Sequence, residues 1–290
     1  MKERIWFIIN PISGGRKKSE LPDSIELYLD HNRFEYELHY TEYKGHAVSI
    51  ANDAVSRGID VVCAVGGDGS VHEVGTALIG SNVRLAIIPY GSGNGLARHM
   101  KIPLKLKDAI LCINNNHSIE MDTLKVNNKP FLGFGGYGFD AFIAEKFQSS
   151  QKRGFLTYVK LVLKEAFRYN PINVSIDANG QVRKLPVFLC SIANTSEFGN
   201  GFVVSPKSDA TDGQFEVVIV KPFRIWNTPS MLFKFFTGKT DYSGLTEVIK
   251  TNQATLVLPH SYGQIDGEPI TSGQKVVVSM VPKSLRIIVK

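Results

Sequence analysis

The sequence predicts an α/β domain followed by an all-β domain, on three observations. Up to residue 121, short apolar runs alternate with helix-length segments, the pattern of a parallel sheet with helices on its faces. Each of those runs ends in a turn rich in Gly, Ser, Thr or Asn. From Asp122 onward the pattern changes to alternating strands spaced by turns such as Asn179-Gly180, Asp212-Gly213 and Ser272-Gly273, which indicates an antiparallel β-sandwich. The boundary is placed near Asp122, dividing residues 1–121 from 122–290, and the cleft between the two domains is the expected site.

The first domain's strand candidates are residues 4–9, 34–40, 60–65 and 84–88. Their following turns are Asn10-Pro11-Ile12-Ser13-Gly14-Gly15, Thr41 to Gly45, Gly66-Gly67-Asp68-Gly69-Ser70, and Pro89-Tyr90-Gly91-Ser92-Gly93-Asn94. Loops at the carboxyl ends of parallel strands converge on one edge of the sheet, so these four can build one site. Beyond Asp122, helices are expected at 140–148 and 154–169. Strands are expected at 173–178, 182–193, 214–220, 254–258, 275–280 and 285–289.

Composition narrows the function classes. A chain of 290 residues with 43% hydrophobic content can bury a sizeable core. No apolar run reaches the ~18 residues of a membrane span, and the first apolar segment is too short and wrongly flanked for a signal peptide, so a cytoplasmic protein is expected. Cys63, Cys112 and Cys190 sit in apolar contexts without metal-like spacing and read as buried thiols. A net charge of +6 suits an anionic nucleotide or an anionic membrane surface. Nucleic acid is not expected, because no nucleic-acid module is recognisable.

The Gly66 turn carries the sharpest chemistry. Glycines let the backbone approach a ligand, and the N–H groups opening the next helix favour an anion. Asp68 would repel a bare phosphate unless a divalent cation or a transferable proton lies between them, which suggests a metal-nucleotide. The bland alternative is a strand-to-helix turn in which Asp68 caps the helix. The pattern matches neither the Walker loop nor the dinucleotide fingerprint. The Gly91 loop repeats the glycine logic one strand later, with Ser92 and Asn94 as donors.

Asn10-Pro11 with Ser13-Gly14, Thr41 leading to Gly45-His46-Ala47, Gly66-Gly67-Asp68-Gly69-Ser70, Gly91-Ser92-Gly93-Asn94 and Asp266-Gly267-Glu268 occur in the order seen in the diacylglycerol kinase catalytic family. The chain resembles a bacterial member of that family of soluble lipid kinases, which includes sphingosine and ceramide kinases. The resemblance implies a nucleotide-binding lobe similar to phosphofructokinases and NAD kinases, joined to a β-sandwich lobe. It also implies phosphoryl transfer from MgATP to a lipid hydroxyl, with diacylglycerol the default acceptor. Carried over by position, Asn10, Pro11, Ser13, Gly14, Thr41, Gly66, Gly67, Gly69, Ser70, Glu73, Gly91, Ser92, Gly93 and Asn94 surround the nucleotide, and Asp68 acts near phosphates and metal. Ser70 replaces the commoner Thr of the family, and Gly95-Leu96 replaces the frequent Asp-Phe, a change that bears on lipid specificity more than on catalysis.

Glu268 matches the family's general base, and a carboxylate that accepts the acceptor's proton assists attack. Gly267 would tip it toward the cleft; the alternative is an exposed hairpin carboxylate. Asp209, Asp212 and Gln214 match a loop that holds a structural Mg²⁺ in some relatives, or form a plain Asp-Gly turn. Asp122 corresponds to a position near the acceptor, or else holds the lobes together. His46, His72 and His99 lack metal spacing and read as packing or capping groups. Arg98 and Lys101 either face anionic lipid or belong to a solvated helix face. The stretch 223–239, with Trp226, Met231, Leu232, Phe235 and Phe236 among Lys234 and Lys239, is either a stripe packed on a sheet or a membrane-surface helix that Pro229 shortens. The expectation is an ATP-dependent lipid kinase with peripheral membrane contact, able to pair as a homodimer. The rivals are an NAD kinase, against which the Gly91 and Asp266 motifs speak, and a catalytically silent lipid binder.

Overall fold

The structure, a computed structural model, describes residues 1–15, 18–148, 155–166, 168–240 and 244–290. It divides into two compact units, residues 1–122 with 282–290, and residues 123–281.

The first unit opens with β1 (Glu3–Ile9), α1 (Leu21–Tyr28), β2 (Phe34–Tyr40), α2 (His46–Ser56), β3 (Val61–Gly66), α3 (Asp68–Leu78), β4 (Arg84–Pro89), the short α4 (Gly95–His99), α5 (Leu106–Asn115) and β5 (Ser118–Val126), in which the unit boundary falls. The strands run parallel in the order β2-β1-β3-β4. Ile5 to Ile9 and Val61 to Gly66 are buried at every position, as a sheet covered on both faces requires. Leu21 and Ile25 of α1 join Ala109, Ile110 and Ile113 of α5 over Ile5, Phe7 and Ile9. The helices α2 and α3 lie against each other, α2 touching β1 and α3 touching β3 and β4.

The second unit contains β6 (Lys129–Phe131), β7 (Phe134–Gly138), α6 (Phe139–Gln148), α7 (Phe155–Ala166), β8 (Ile172–Ala178), β9 (Gln181–Val187), β10 (Leu189–Ala193), β11 (Phe215–Val220), α8 (Thr228–Thr237), β12 (Thr246–Thr251), β13 (Gln253–Val257), β14 (Tyr262–Ile265), β15 (Glu268–Thr271) and the first half of β16 (Lys275–Ile288). A six-stranded antiparallel sheet has the order β12-β11-β10-β7-β14-β15. The strands β16, β13, β8 and β9 pair antiparallel in the facing layer. Val174, Ile176, Leu256, Val276 and Val278 from that layer meet Cys190, Ile192, Phe215, Val217 and Ile219, which makes the apolar filling of a sandwich.

Four expectations need correction. The strand expected at 182–193 is two, because the chain leaves one sheet after Val187 and enters the other at Leu189. Residues 285–288 are not a separate sandwich strand: they extend β16, whose Arg286 and Ile287 pair in parallel with Arg84 and Leu85 of β4, and residues 282–290 group with the first unit. Of the three expected turns only Asn179-Gly180 closes a hairpin, with φ of 52° and 74°. Asp212-Gly213 leads into β11, and Ser272-Gly273 joins strands of different sheets. Pro229 opens α8 rather than shortening it, since a first-turn proline lacks only an N–H that has no helical partner. Positions 154 and 167 of the expected helix 154–169 lie outside the described residues.

Candidate active site

Three loops of the first unit close on one another with no room for side chains. A Cβ on Gly91 would stand 2.5 Å from Gly67 Cα and 2.7 Å from Asn94 Oδ1, and one on Gly14 would stand 1.6 Å from the Tyr90 carbonyl oxygen. Gly14 also holds a φ of 75°, in the region glycine takes at low cost. Backbone is thus packed on backbone at the carboxyl ends of β1, β3 and β4, where a parallel sheet binds ligands.

The start of α3 organises this edge, and three of its side chains each hold a different loop. Asp68 accepts the amide hydrogens of Asn94 at 2.9 Å and Gly95 at 2.7 Å, which binds the loop after β4. The hydroxyl of Ser70, buried, accepts Asn10 Nδ2 at 3.3 Å, which binds the loop after β1. Glu73 Oε1 accepts the Gly45 amide at 3.1 Å, which binds the loop after β2. No side chain caps α3 itself. Asp68 therefore does cap a helix, as the bland reading allowed, but it caps α4 rather than its own. Gly95 supplies a backbone donor here; the acid frequent in the family would add a second carboxylate beside Asp68.

The other residues expected at the nucleotide take supporting places. Asn10 Oδ1 accepts the Ile12 amide at 3.2 Å, Ser13 Oγ donates to the Asn10 carbonyl at 3.1 Å, and the Thr41 amide donates to Ile9 at 2.9 Å. Asn94 takes a left-handed φ of 56° and closes its own loop by donating to the Gly91 carbonyl at 2.8 Å. Pro11 and Ser92 are exposed, Gly66 ends β3, Gly69 lies in the first turn of α3, and Gly93 lies in the loop before α4. Lys18 was not anticipated: it donates to the Ser13 carbonyl at 2.7 Å, lies 5.1 Å from the Tyr90 ring centre, and burial lowers its pKa. Its only sequence signal is a basic run after glycines. His46 Nδ1 accepts the Glu42 amide at 3.1 Å and stacks on Tyr43. Arg98 donates to the Gly93 carbonyl at 3.0 Å. Asp122, buried, accepts the Lys283 amide at 2.7 Å and so anchors the returning segment within the first unit.

In the second unit, Glu268 is half-buried and opens β15 directly after a two-residue turn, opposite Ile265. Asp266 and Gly267 have φ of 46° and 83°, the double positive φ of the tightest hairpin class. Asp266 clamps the turn by accepting the amides of Leu132 at 2.9 Å, Gly133 at 2.8 Å and Phe134 at 3.0 Å. The Gly267 amide donates to Gln264 Oε1 at 2.8 Å, and Gln264 Nε2 donates to the buried Asp140 at 2.7 Å. Burial pushes the Asp140 carboxyl up to about 6, against the pull of that bond. Gly136 leaves the space for this chain, since a Cβ there would stand 1.8 Å from Asp140 Oδ2. Neither Asp140 nor Gln264 had been singled out in sequence.

The Asp209 to Gln214 loop closes on itself. Asp209 Oδ1 accepts the Thr211 amide at 3.0 Å and the Thr211 hydroxyl at 2.7 Å, and Asp212 Oδ1 accepts the Gln214 amide at 2.9 Å. Asp212 Oδ2 pairs with Lys250 at 2.6 Å, so this carboxylate has a cationic partner within the chain. Among the described residues, no three His, Cys, Asp or Glu side chains cluster as a metal site.

Comparison with known proteins agrees with this layout. The model of the diacylglycerol kinase catalytic domain matches residues 4–126, and that of the YegS C-terminal NAD kinase beta sandwich-like domain matches residues 133–289. The chain's first domain matches the diacylglycerol kinase catalytic domain, and the chain belongs to the family of the YegS C-terminal NAD kinase beta sandwich-like domain. It is a diacylglycerol kinase-like kinase, a phosphotransferase. Diacylglycerol kinases of Staphylococcus aureus, strains bovine RF122 / ET3-1 and Newman, are each 29% identical to it over 76% of this chain and 71% of theirs. A crystal structure of a Bacillus anthracis str. Sterne protein, provisionally assigned as a diacylglycerol kinase, superposes with a TM-score of 0.79 at 21% identity, covering 99% of this chain and 97% of that one. A second, of a diacylglycerol kinase from the same strain, gives 0.74 at 19% identity with the same coverage. At these identities the structures establish the fold.

Proposed function

We propose that the chain transfers the γ-phosphate of MgATP to a lipid hydroxyl, with diacylglycerol the acceptor and phosphatidic acid the product. The observation that carries this reading is the triple tie of α3 through Asp68, Ser70 and Glu73 to the loops after β4, β1 and β2. It draws those loops to the head of α3, where the first amides of the helix favour an anion such as the phosphates of a nucleotide. The names of the Staphylococcus aureus relatives support diacylglycerol.

Mg²⁺ prefers oxygen donors, and Asp68 with the nucleotide's own phosphate oxygens is such a set; the ion would neutralise charge on the transferred group. The chain's residues do the remainder. The amides at the head of α3 and in the Gly91 loop bind and align the phosphates, which is most of what phosphoryl transfer asks of a protein. Glu268 takes the proton of the attacking hydroxyl, and the clamped Asp266-Gly267 turn fixes where that carboxylate begins.

The test is transfer of labelled γ-phosphate from MgATP to diacylglycerol, sphingosine, ceramide and NAD, with wild type beside Glu268→Ala. Labelled phosphatidic acid, reduced about a hundredfold or more in the variant, is the expected result. Labelling of sphingosine or ceramide instead would reassign the acceptor. NAD labelling, or no product, would sink the lipid kinase reading.

A further inference from the structure

The helix α8 is apolar on both sides. Thr228, Met231 and Phe235 are buried, the latter two with Phe134, Val218 and Val220, so one face is fully used by the fold. The opposite side shows Phe233, 65% exposed, and Phe236, 40% exposed, and Trp226 stands 83% exposed in the turn before the helix. The spacing of 226, 233 and 236 places all three on one side, where a helix packed on a soluble domain ordinarily carries polar groups. Trp226 and Phe233, with Phe236 beside them resting edge-on against Phe202, form an exposed aromatic patch.

Charge says what would cover it. Residues 221–240 contain Lys221, Arg224, Lys234 and Lys239 and no Asp or Glu. Lys221 is engaged by Glu247 at 3.4 Å; Arg224 and Lys239 are exposed and flank the aromatics in sequence. A second copy of this chain would bring the same basic rim against itself, on a molecule of net charge +6. An anionic bilayer meets both demands, since tryptophan and phenylalanine settle at headgroup depth while lysine and arginine reach the phosphates.

We propose that Trp226 and the outer face of α8 form a docking surface for an anionic bilayer. This goes beyond the kinase reading and does not depend on it, because docking can be measured without nucleotide or acceptor.

The full chain offers its own reporter. It has two tryptophans, and Trp6 is 3% exposed, so a change in tryptophan emission on adding vesicles reports Trp226. Mixed phosphatidylcholine and phosphatidylglycerol vesicles should shift the emission to the blue and sediment the protein, and pure phosphatidylcholine vesicles should do neither. High salt should weaken the binding. The double variant Trp226→Ser, Phe233→Ser should keep its melting temperature, because both side chains are exposed, and lose about tenfold or more in vesicle partitioning. Replacing Arg224 and Lys239 by Gln should remove the preference for phosphatidylglycerol. Unchanged vesicle binding in the double variant would overturn the proposal, as would an absence of vesicle binding. A concentration-dependent dimer abolished by the double variant, with no vesicle binding, would assign the patch to a second copy instead.

Discussion

Asp68 and Asp266 are built alike and placed differently. Each precedes a glycine and spends its carboxylate on backbone amides: Asn94 and Gly95 for the first, Leu132, Gly133 and Phe134 for the second. Asp68, however, opens a helix at the carboxyl edge of a parallel sheet, so its clamp draws two glycine loops together where the nucleotide is proposed to bind. Asp266 sits inside a hairpin, and its clamp fixes the turn from which Glu268, the proposed base, opens β15. The same kind of bond joins two loops in one unit and fixes a single hairpin turn in the other.

The comparison breaks first on activity. Asp68→Asn keeps one oxygen acceptor and should leave the first unit folded, losing about 1 to 2 kcal/mol, while phosphoryl transfer falls on the order of a hundredfold. A rate loss no larger than the unfolded fraction measured by thermal melting would make Asp68 a clamp and nothing more. Asp266→Ala should act in the opposite way, on stability, because three amides lose their acceptor. Urea unfolding should show a loss of about 4 kcal/mol, and a loss below about 1 would mean that the turn holds itself.

Behind the Asp266 turn lies a pH signature. The folded chain holds the Asp140 proton to about pH 6, whereas the ordinary value is 3.8. In that window the folded state binds the proton that the unfolded chain has released, so this group's contribution to stability falls as pH rises from about 4 to about 6. Asp140→Asn should accept the Gln264 bond without that cost. Its stability relative to wild type should rise across the window by up to about 3 kcal/mol, read from denaturation midpoints. A pH-independent difference would show that burial does not govern Asp140. The smallest expected effect belongs to Gly91→Ala, whose methyl must push the Gly67 backbone away at a cost of about 2 kcal/mol. The sharper readout there is the KM for ATP, which should rise more than kcat falls. An unchanged KM would mean that the approach of these two loops does not shape the nucleotide cradle.

What could be read from sequence was what is local. The four parallel strands and their loops announce themselves through apolar runs that end in glycine turns, and Gly66, Gly67 and Gly91 carry their requirement in their own identity. The clamp by Asp266 was invisible because its donors, Leu132 to Phe134, lie more than a hundred residues earlier in the chain. Asp140 gave no signal for the same reason: its partner Gln264 belongs to a strand that nothing near Asp140 announces. The change of sheet at Phe188 was missed because apolar residues flank it on both sides, and hydropathy does not say which sheet a strand joins. Parallel pairing of Arg286 with Arg84 leaves no periodicity to detect at all.

That last pairing bears on how the molecule is made. The first unit is interrupted by residues 123–281 and is finished by Pro282–Lys290, which set Ile287 beside Leu85 and Ile288 into its core. During synthesis, therefore, the amino-terminal sheet waits through the translation of the whole sandwich before its last strand arrives. A chain emerging at about 5–20 residues per second leaves β4 with an open edge for roughly ten seconds or longer, the interval in which a holdase chaperone or misplaced strand could occupy it.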